Sequence, residues 1–261
     1  MVFNRNGFLA CLLVVAATLL PGSALAQSLN GYGVVVLHGK WGNPGQMGSV
    51  ANAFQAAGAR VATPTMPWAG RSGYSGGYDD AIAGIDQAVA QLKAEGATKI
   101  VIAGQSMGGN LAMGYAGRRS GVTAVVVLAP GHQPEGRTKG GAAESLAKAK
   151  QMVASGQGDA TASFFDANQG QTAMVSMTAR AYVSFFDPNG PANLHHAAAS
   201  VRSSVPIFFV IGNADPSFPE APALYRLAAK NKKSQYDAVE GSHMTSGATA
   251  LPAIVDWLAK L

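Results

Sequence analysis

Six short apolar runs, separated by Ala-rich stretches of helical character, constrain what this chain can fold into more than any other feature. The runs fall at residues 33–38, 60–63, 99–103, 122–128, 206–211 and 235–239. The early ones are nearly continuous in apolar residues, as strands are when both faces of their sheet are covered. Helices fit between and after them, at about 45–57, 79–95, 107–119, 220–231 and 247–260. This alternation predicts an α/β architecture: a mostly parallel central sheet of about six strands with helices on both faces.

Two segments stand outside that rhythm. Residues 130–204 are too long for an ordinary connection, and in a compact domain such a length signals a functional covering. We read it as a helical, lid-like insertion after the fourth strand, with helices at 140–155 and 178–186; a helix pair packed on the sheet edge is the plainer alternative. The N-terminus has Arg5, an apolar run at 8–20 and Ala24-Leu25-Ala26 before Gln27. That is the form of a secretory signal peptide over 1–26, because the run is shorter than a spanning helix requires and Pro21-Gly22 ends it. Cleavage leaves residues 27–261 as a single domain, exported to the periplasm or medium, with no stable membrane anchor. The sole cysteine, Cys11, leaves with the peptide, so neither disulfides nor thiolate chemistry are expected. The formal charge of +5 becomes +4 without Arg5, and the cations are scattered apart from Lys230, Lys232 and Lys233. No nucleic-acid signature emerges.

The chemistry concentrates at Gly104-Gln105-Ser106-Met107-Gly108, placed between the third run and a helix. A serine on a tight strand-to-helix turn projects its hydroxyl, and the flanking Gly104 and Gly108 let the turn close. In a chain with 32 glycines the pentapeptide alone could arise by chance; its position is what gives it weight. Serine is a weak nucleophile at neutral pH and needs a base, which a third group must orient. His243, in Gly241-Ser242-His243, follows the last run, and Asp215, in Gly212-Asn213-Ala214-Asp215, follows the one before. Loops at the carboxyl ends of parallel strands are where ligands meet such sheets. Asp187 and Glu135 are alternative acids.

Ser106, Asp215 and His243, in that order and with the elbow, resemble the α/β-hydrolase superfamily over essentially the whole mature length. The outline is similar to the short form of the fold, as in small serine esterases, lipases and dienelactone hydrolases. Dienelactone hydrolases use cysteine where this chain has Ser106; secreted polyester hydrolases share Ser106-Met107-Gly108-Gly109 but usually carry a disulfide. The resemblance implies an oxyanion hole made by the N–H of Met107 and an N–H in His38-Gly39-Lys40-Trp41, assigned to Lys40, whose side chain need not matter, with Trp41 N–H as the alternative donor. It also implies a carboxylic ester substrate, small or lipid-like, with no metal or organic cofactor. An amide or thioester substrate, or a catalytically silent binding protein of the same fold, are the competing readings.

Other residues have two readings each. Trp41, Trp68 and His132 are candidate pocket residues, with a solvated loop histidine the other reading of His132, and Trp68, Tyr74 and Tyr78 could grip an apolar group or simply pin their loop. His38 reads as a structural support of the oxyanion loop. His195 and His196 read as surface residues, since neighbours on a helix point apart and no ligand cluster accompanies them.

Overall fold

The computed structural model describes Met1 and residues 28–136 and 139–261; apart from Met1, the segment 1–26 expected to be a signal peptide lies outside the described residues. Strands β1 (Tyr32–Leu37), β2 (Arg60–Ala62), β3 (Lys99–Ser106), β4 (Ala124–Pro130), β7 (Ile207–Gly212) and β8 (Gln235–Val239) form one sheet in the order β2-β1-β3-β4-β7-β8. Every pairing in it is parallel.

Successive residues of a strand face opposite sides, and β1 shows what that does here. Val35 and Leu37 enter the core beneath α2 (Tyr78–Ala94) and α3 (Met107–Arg118), whereas Val34 and Val36 enter the core beneath α1 (Gly48–Ala56) and the C-terminal helices. All four are at most 1% exposed, so continuous hydrophobicity is required of this strand. The anticipated helix at 220–231 is the shorter α7 (Ala221–Ala228), and the one at 247–260 is split into α8 (Ser246–Thr249) and α9 (Leu251–Ala259), with Pro252 in the first turn of the second. Among the described residues, no helix is long and apolar enough to cross a membrane.

The insertion holds the two anticipated helices, α4 (Gly140–Ala154) and α5 (Ala179–Phe186), and a shorter α6 (Leu194–Ser200). It is not helical throughout. Strands β5 (Thr161–Asn168) and β6 (Gln171–Thr178) pair antiparallel as a hairpin closed by Gln169 and Gly170. Both turn residues have positive φ, 47° and 77°, as in a type I′ turn whose twist matches the strands. The loop after β2 is stitched to this hairpin: Tyr74 N–H donates to the Ser176 carbonyl and Ser176 N–H to the Ser72 carbonyl.

Candidate active site

β3 passes into α3 at Ser106 with no intervening loop. To turn there, Ser106 takes φ 56° and ψ −120°, a conformation costing a residue with a side chain on the order of 1–3 kcal/mol unless its surroundings enforce it. The glycines are part of that enforcement. A Cβ on Gly104 would overlap the Gly108 carbonyl, and one on Gly108 would press on the Leu37 carbonyl of β1. Met107 N–H, in the first turn of α3, lies at the positive end of the helix.

The loops after β7 and β8 bring Asp215 and His243 together, with His243 Nδ1 2.7 Å from Asp215 Oδ2. An ionised carboxylate can only accept, so Nδ1–H donates and Nε2 is left as the basic atom of the neutral ring. Asp215 Oδ1 accepts the Ser217 N–H at 2.8 Å. Burial pushes the Asp215 carboxyl up, but the bonds from His243 and Ser217 outweigh it and hold it below the usual range. Gln105 Nε2 donates to the His243 carbonyl at 3.1 Å, tying the histidine loop to the serine strand. Ser106 and His243 border one space: a Cβ on Gly131 would lie 2.9 Å from Ser106 Oγ and 3.7 Å from His243 Cε1. Above them opens a cleft of about 610 Å³, lined by Ser106, Asp215 and His243, by His132 and Gln133 after β4, and by the hairpin tip.

The loop after β1 is fixed from both sides. Met66 N–H donates to His38 Nε2 at 3.1 Å, so Nε2 is the acceptor and Nδ1–H donates to the Gly39 carbonyl at 2.9 Å. His38 is therefore a neutral brace, and burial lowers its pKa. Trp41, with φ 59°, gives its N–H to the Trp68 carbonyl at 3.1 Å, which commits that donor to the loop itself. Lys40 corrects the expectation that its side chain need not matter. Its Nζ donates to Asp166 Oδ1 at 2.7 Å and lies 4.9 Å from the Phe186 ring centre. Asp166 also accepts from Trp41 Nε1 and Tyr74 OH, both at 2.9 Å, and Asn168 Nδ2 donates to the Lys40 carbonyl at 3.1 Å. The hairpin thus grips the loop through a buried ion pair and a backbone carbonyl.

The pocket candidates divide. His132 lines the cleft, with its Nε2–H donating to the Phe185 carbonyl at 2.7 Å. Trp41 and Trp68 are not on the cleft wall. Trp68 is fully buried, donates its indole N–H to the His38 carbonyl at 3.1 Å and packs edge-on against Phe185. Tyr74 and Tyr78 pack on Phe185 too, so these aromatics bind insertion to body because covering a large ring in the core outweighs leaving it in a polar cleft. The alternative acids are engaged elsewhere: Asp187 pairs with Lys150 and Glu135 with His195, each at 2.8 Å. Asp166, Gln133, Asn168 and Gln169 were not anticipated. The two-residue turn between alternating runs at 161–168 and 171–178 was the available signal for the last two.

A six-stranded parallel sheet carrying a strained serine at a strand-to-helix turn, with an Asp–His pair beyond later strands, defines the α/β-hydrolase class. The sequence profile described as the Alpha/beta hydrolase family matches residues 34–250, and the chain belongs to that family. No curated protein matches the sequence significantly. Solved structures do. The Paleococcus ferrophilus monoacylglycerol lipase is 21% identical with a TM-score of 0.64, covering 87% of this chain and 94% of its own. A structure from work on metagenome-derived lipolytic enzymes is 20% identical with a TM-score of 0.62, covering 89% and 95%. The thioesterase domain from the curacin biosynthetic pathway is 19% identical with a TM-score of 0.55, covering 85% and 90%. At these identities the likeness establishes a shared fold.

Proposed function

We propose that this protein is a serine hydrolase that cleaves a carboxylic ester through an acyl-enzyme. The observation that carries the reading is the 2.7 Å Asp215–His243 bond beside a serine held at φ 56° on the same cleft. Ser106 Oγ attacks the ester carbonyl while His243 Nε2 takes its proton. The carbonyl oxygen, negative in the tetrahedral intermediate, is held by the N–H groups of Met107 and Lys40. Collapse expels the alcohol, which leaves with the proton from His243; water then repeats the sequence and releases the acid. Asp215 keeps the ring in the useful tautomer and stabilises its charged form. The lipases and the thioesterase domain that share the fold agree with acyl-transfer chemistry.

Replacing Ser106 by Ala is expected to lower p-nitrophenyl acetate turnover by a factor on the order of a million, with thermal unfolding little changed. Unchanged turnover would end the assignment. Matched ester, thioester and anilide substrates identify the preferred bond. The protein is further proposed to act outside the cytoplasm after cleavage before Gln27; N-terminal sequencing of the exported form should begin at that residue.

A further inference from the structure

We infer that the substrate is a small, water-soluble ester: a short acyl group on an uncharged, polyhydroxylated alcohol of the sugar type. This rests on the hydrolase reading above and deepens it. Ligand sites are ordinarily lined mainly by apolar and aromatic side chains, with few polar groups. This cleft reverses that balance. Around the Ser106, Asp215 and His243 side chains, the described wall consists of the amides of Gln133, Asn168 and Gln169, the hydroxyl of Ser217, the His132 ring, glycines and a single proline, Pro216. No aliphatic or aromatic hydrocarbon side chain other than that proline is among them, and the adjoining apolar pocket of Phe209, Ile211 and Leu224, which shares Gln133 and Ser217 with the cleft, has only about 10 Å³ of room, so a long acyl chain finds little to pack against. A chain laid across amides would leave polar groups without water, at a cost for every unpaired donor or acceptor.

Charge narrows the class further. Among the described lining residues there is no Lys or Arg, and the carboxylate, Asp215, is already paired with His243. Among the described lining residues an anionic substrate meets no counter-charge. Amides and hydroxyls each offer both a donor and an acceptor, which is what a neutral ligand bearing several hydroxyl groups requires. The outer surface points the same way. Along β6, Thr172, Met174 and Ser176 face solvent, and the exposed large apolar side chains among the described residues are Met1, Met174, Leu227 and Met244. Met244, on the cleft side, sits against the amides of Gln46, Gln105 and Gln169 at 3.5–4.0 Å. Single methionines do not make the contiguous apolar patch by which a protein docks on lipid.

The test uses the purified protein, first labelled with a fluorophosphonate to count active serines, then assayed on methyl 6-O-acetyl-glucoside, ethyl acetate, glycerol monolaurate and an acetyl ester bearing a carboxylate. The acetylated glucoside should exceed each of the others in kcat/KM by at least about tenfold, the factor that roughly 1.4 kcal/mol of added hydrogen bonding supplies. Gln133→Leu and Gln169→Leu should each reduce the glucoside-to-ethyl-acetate ratio by roughly threefold to tenfold, through KM more than kcat. Preference for the laurate or the anionic ester by a protein that labels fully would overturn the substrate class while leaving the hydrolase intact. Ratios unmoved in both variants would also overturn it. No labelling and no hydrolysis of any ester would remove the hydrolase reading and this inference with it.

Discussion

Asp215 and Asp166 are two nearly inaccessible carboxylates, 4% and 0% exposed, whose surroundings give them opposite duties. Asp215 faces an imidazole that borders the cleft, so its negative charge can stabilise a proton arriving on that ring. Asp166 faces a permanent cation, Lys40, and further donors that include Trp41 Nε1, Tyr74 OH and Ala167 N–H. Its charge is already matched. The first arrangement suits a group that responds to chemistry; the second suits a rivet between the insertion and the loop that supplies the proposed oxyanion donor. Burial is common to the two carboxylates, and the kind of partner is what separates them.

The sharpest way to break that contrast is to neutralise each in turn. Asp215→Asn should lower kcat on the order of ten-thousandfold, because the amide no longer fixes the reactive tautomer, with little change in urea unfolding. Asp166→Asn should do the reverse in emphasis. It leaves Lys40 buried without its counter-ion, a loss of about 3–5 kcal/mol for such pairs, read as a lower urea midpoint. Replacing both partners, Lys40→Met with Asp166→Leu, should restore only part of that stability, because Trp41 Nε1–H, Tyr74 O–H and Ala167 N–H then lose their acceptor. If Asp166→Asn left the midpoint unchanged, the rivet would be misassigned.

A smaller effect separates the groups by pH. His38 is neutral in the fold, with burial holding its pKa below the usual 6.5. The unfolded chain therefore binds the proton first, and stability that is fully present above about 6.5 declines as the pH falls below it. Asp215, held below the usual 3.8, adds a contribution present above that value and lost as the pH falls through the folded one. Unfolding free energy from pH 8 to 4 should decline from about 6.5 downward, and the His38 ring signals in NMR should remain those of a neutral imidazole at pH 6.5. A half-protonated His38 at that pH would contradict the brace formed with Met66 N–H.

The same two carboxylates show what the sequence could reveal. Asp215 was legible because its position is local: a polar turn immediately after an apolar run, one strand before His243. The sheet and its helices were legible for the same reason, since each strand declares itself within a few residues. Asp166 was not, because its partners Lys40, Trp41 and Tyr74 stand 126, 125 and 92 residues away and nothing near residue 166 marks them. The hairpin that carries it alternates only weakly and turns through Gln169-Gly170, whose first position lacks the Asn, Asp or Gly that usually announces a type I′ turn. Aromatics misled in the other direction. Trp68 among glycines resembled a substrate wall, and the fold uses it to bind insertion to sheet.

The proposal that Ser106 is the activated nucleophile of this fold is tested by reaction of the folded protein with a fluorophosphonate followed by peptide mass spectrometry. One adduct is expected, on Ser106, absent from Ser106→Ala and strongly slowed in Asp215→Asn. A folded protein that takes up no label, or takes it up on another residue, would contradict it.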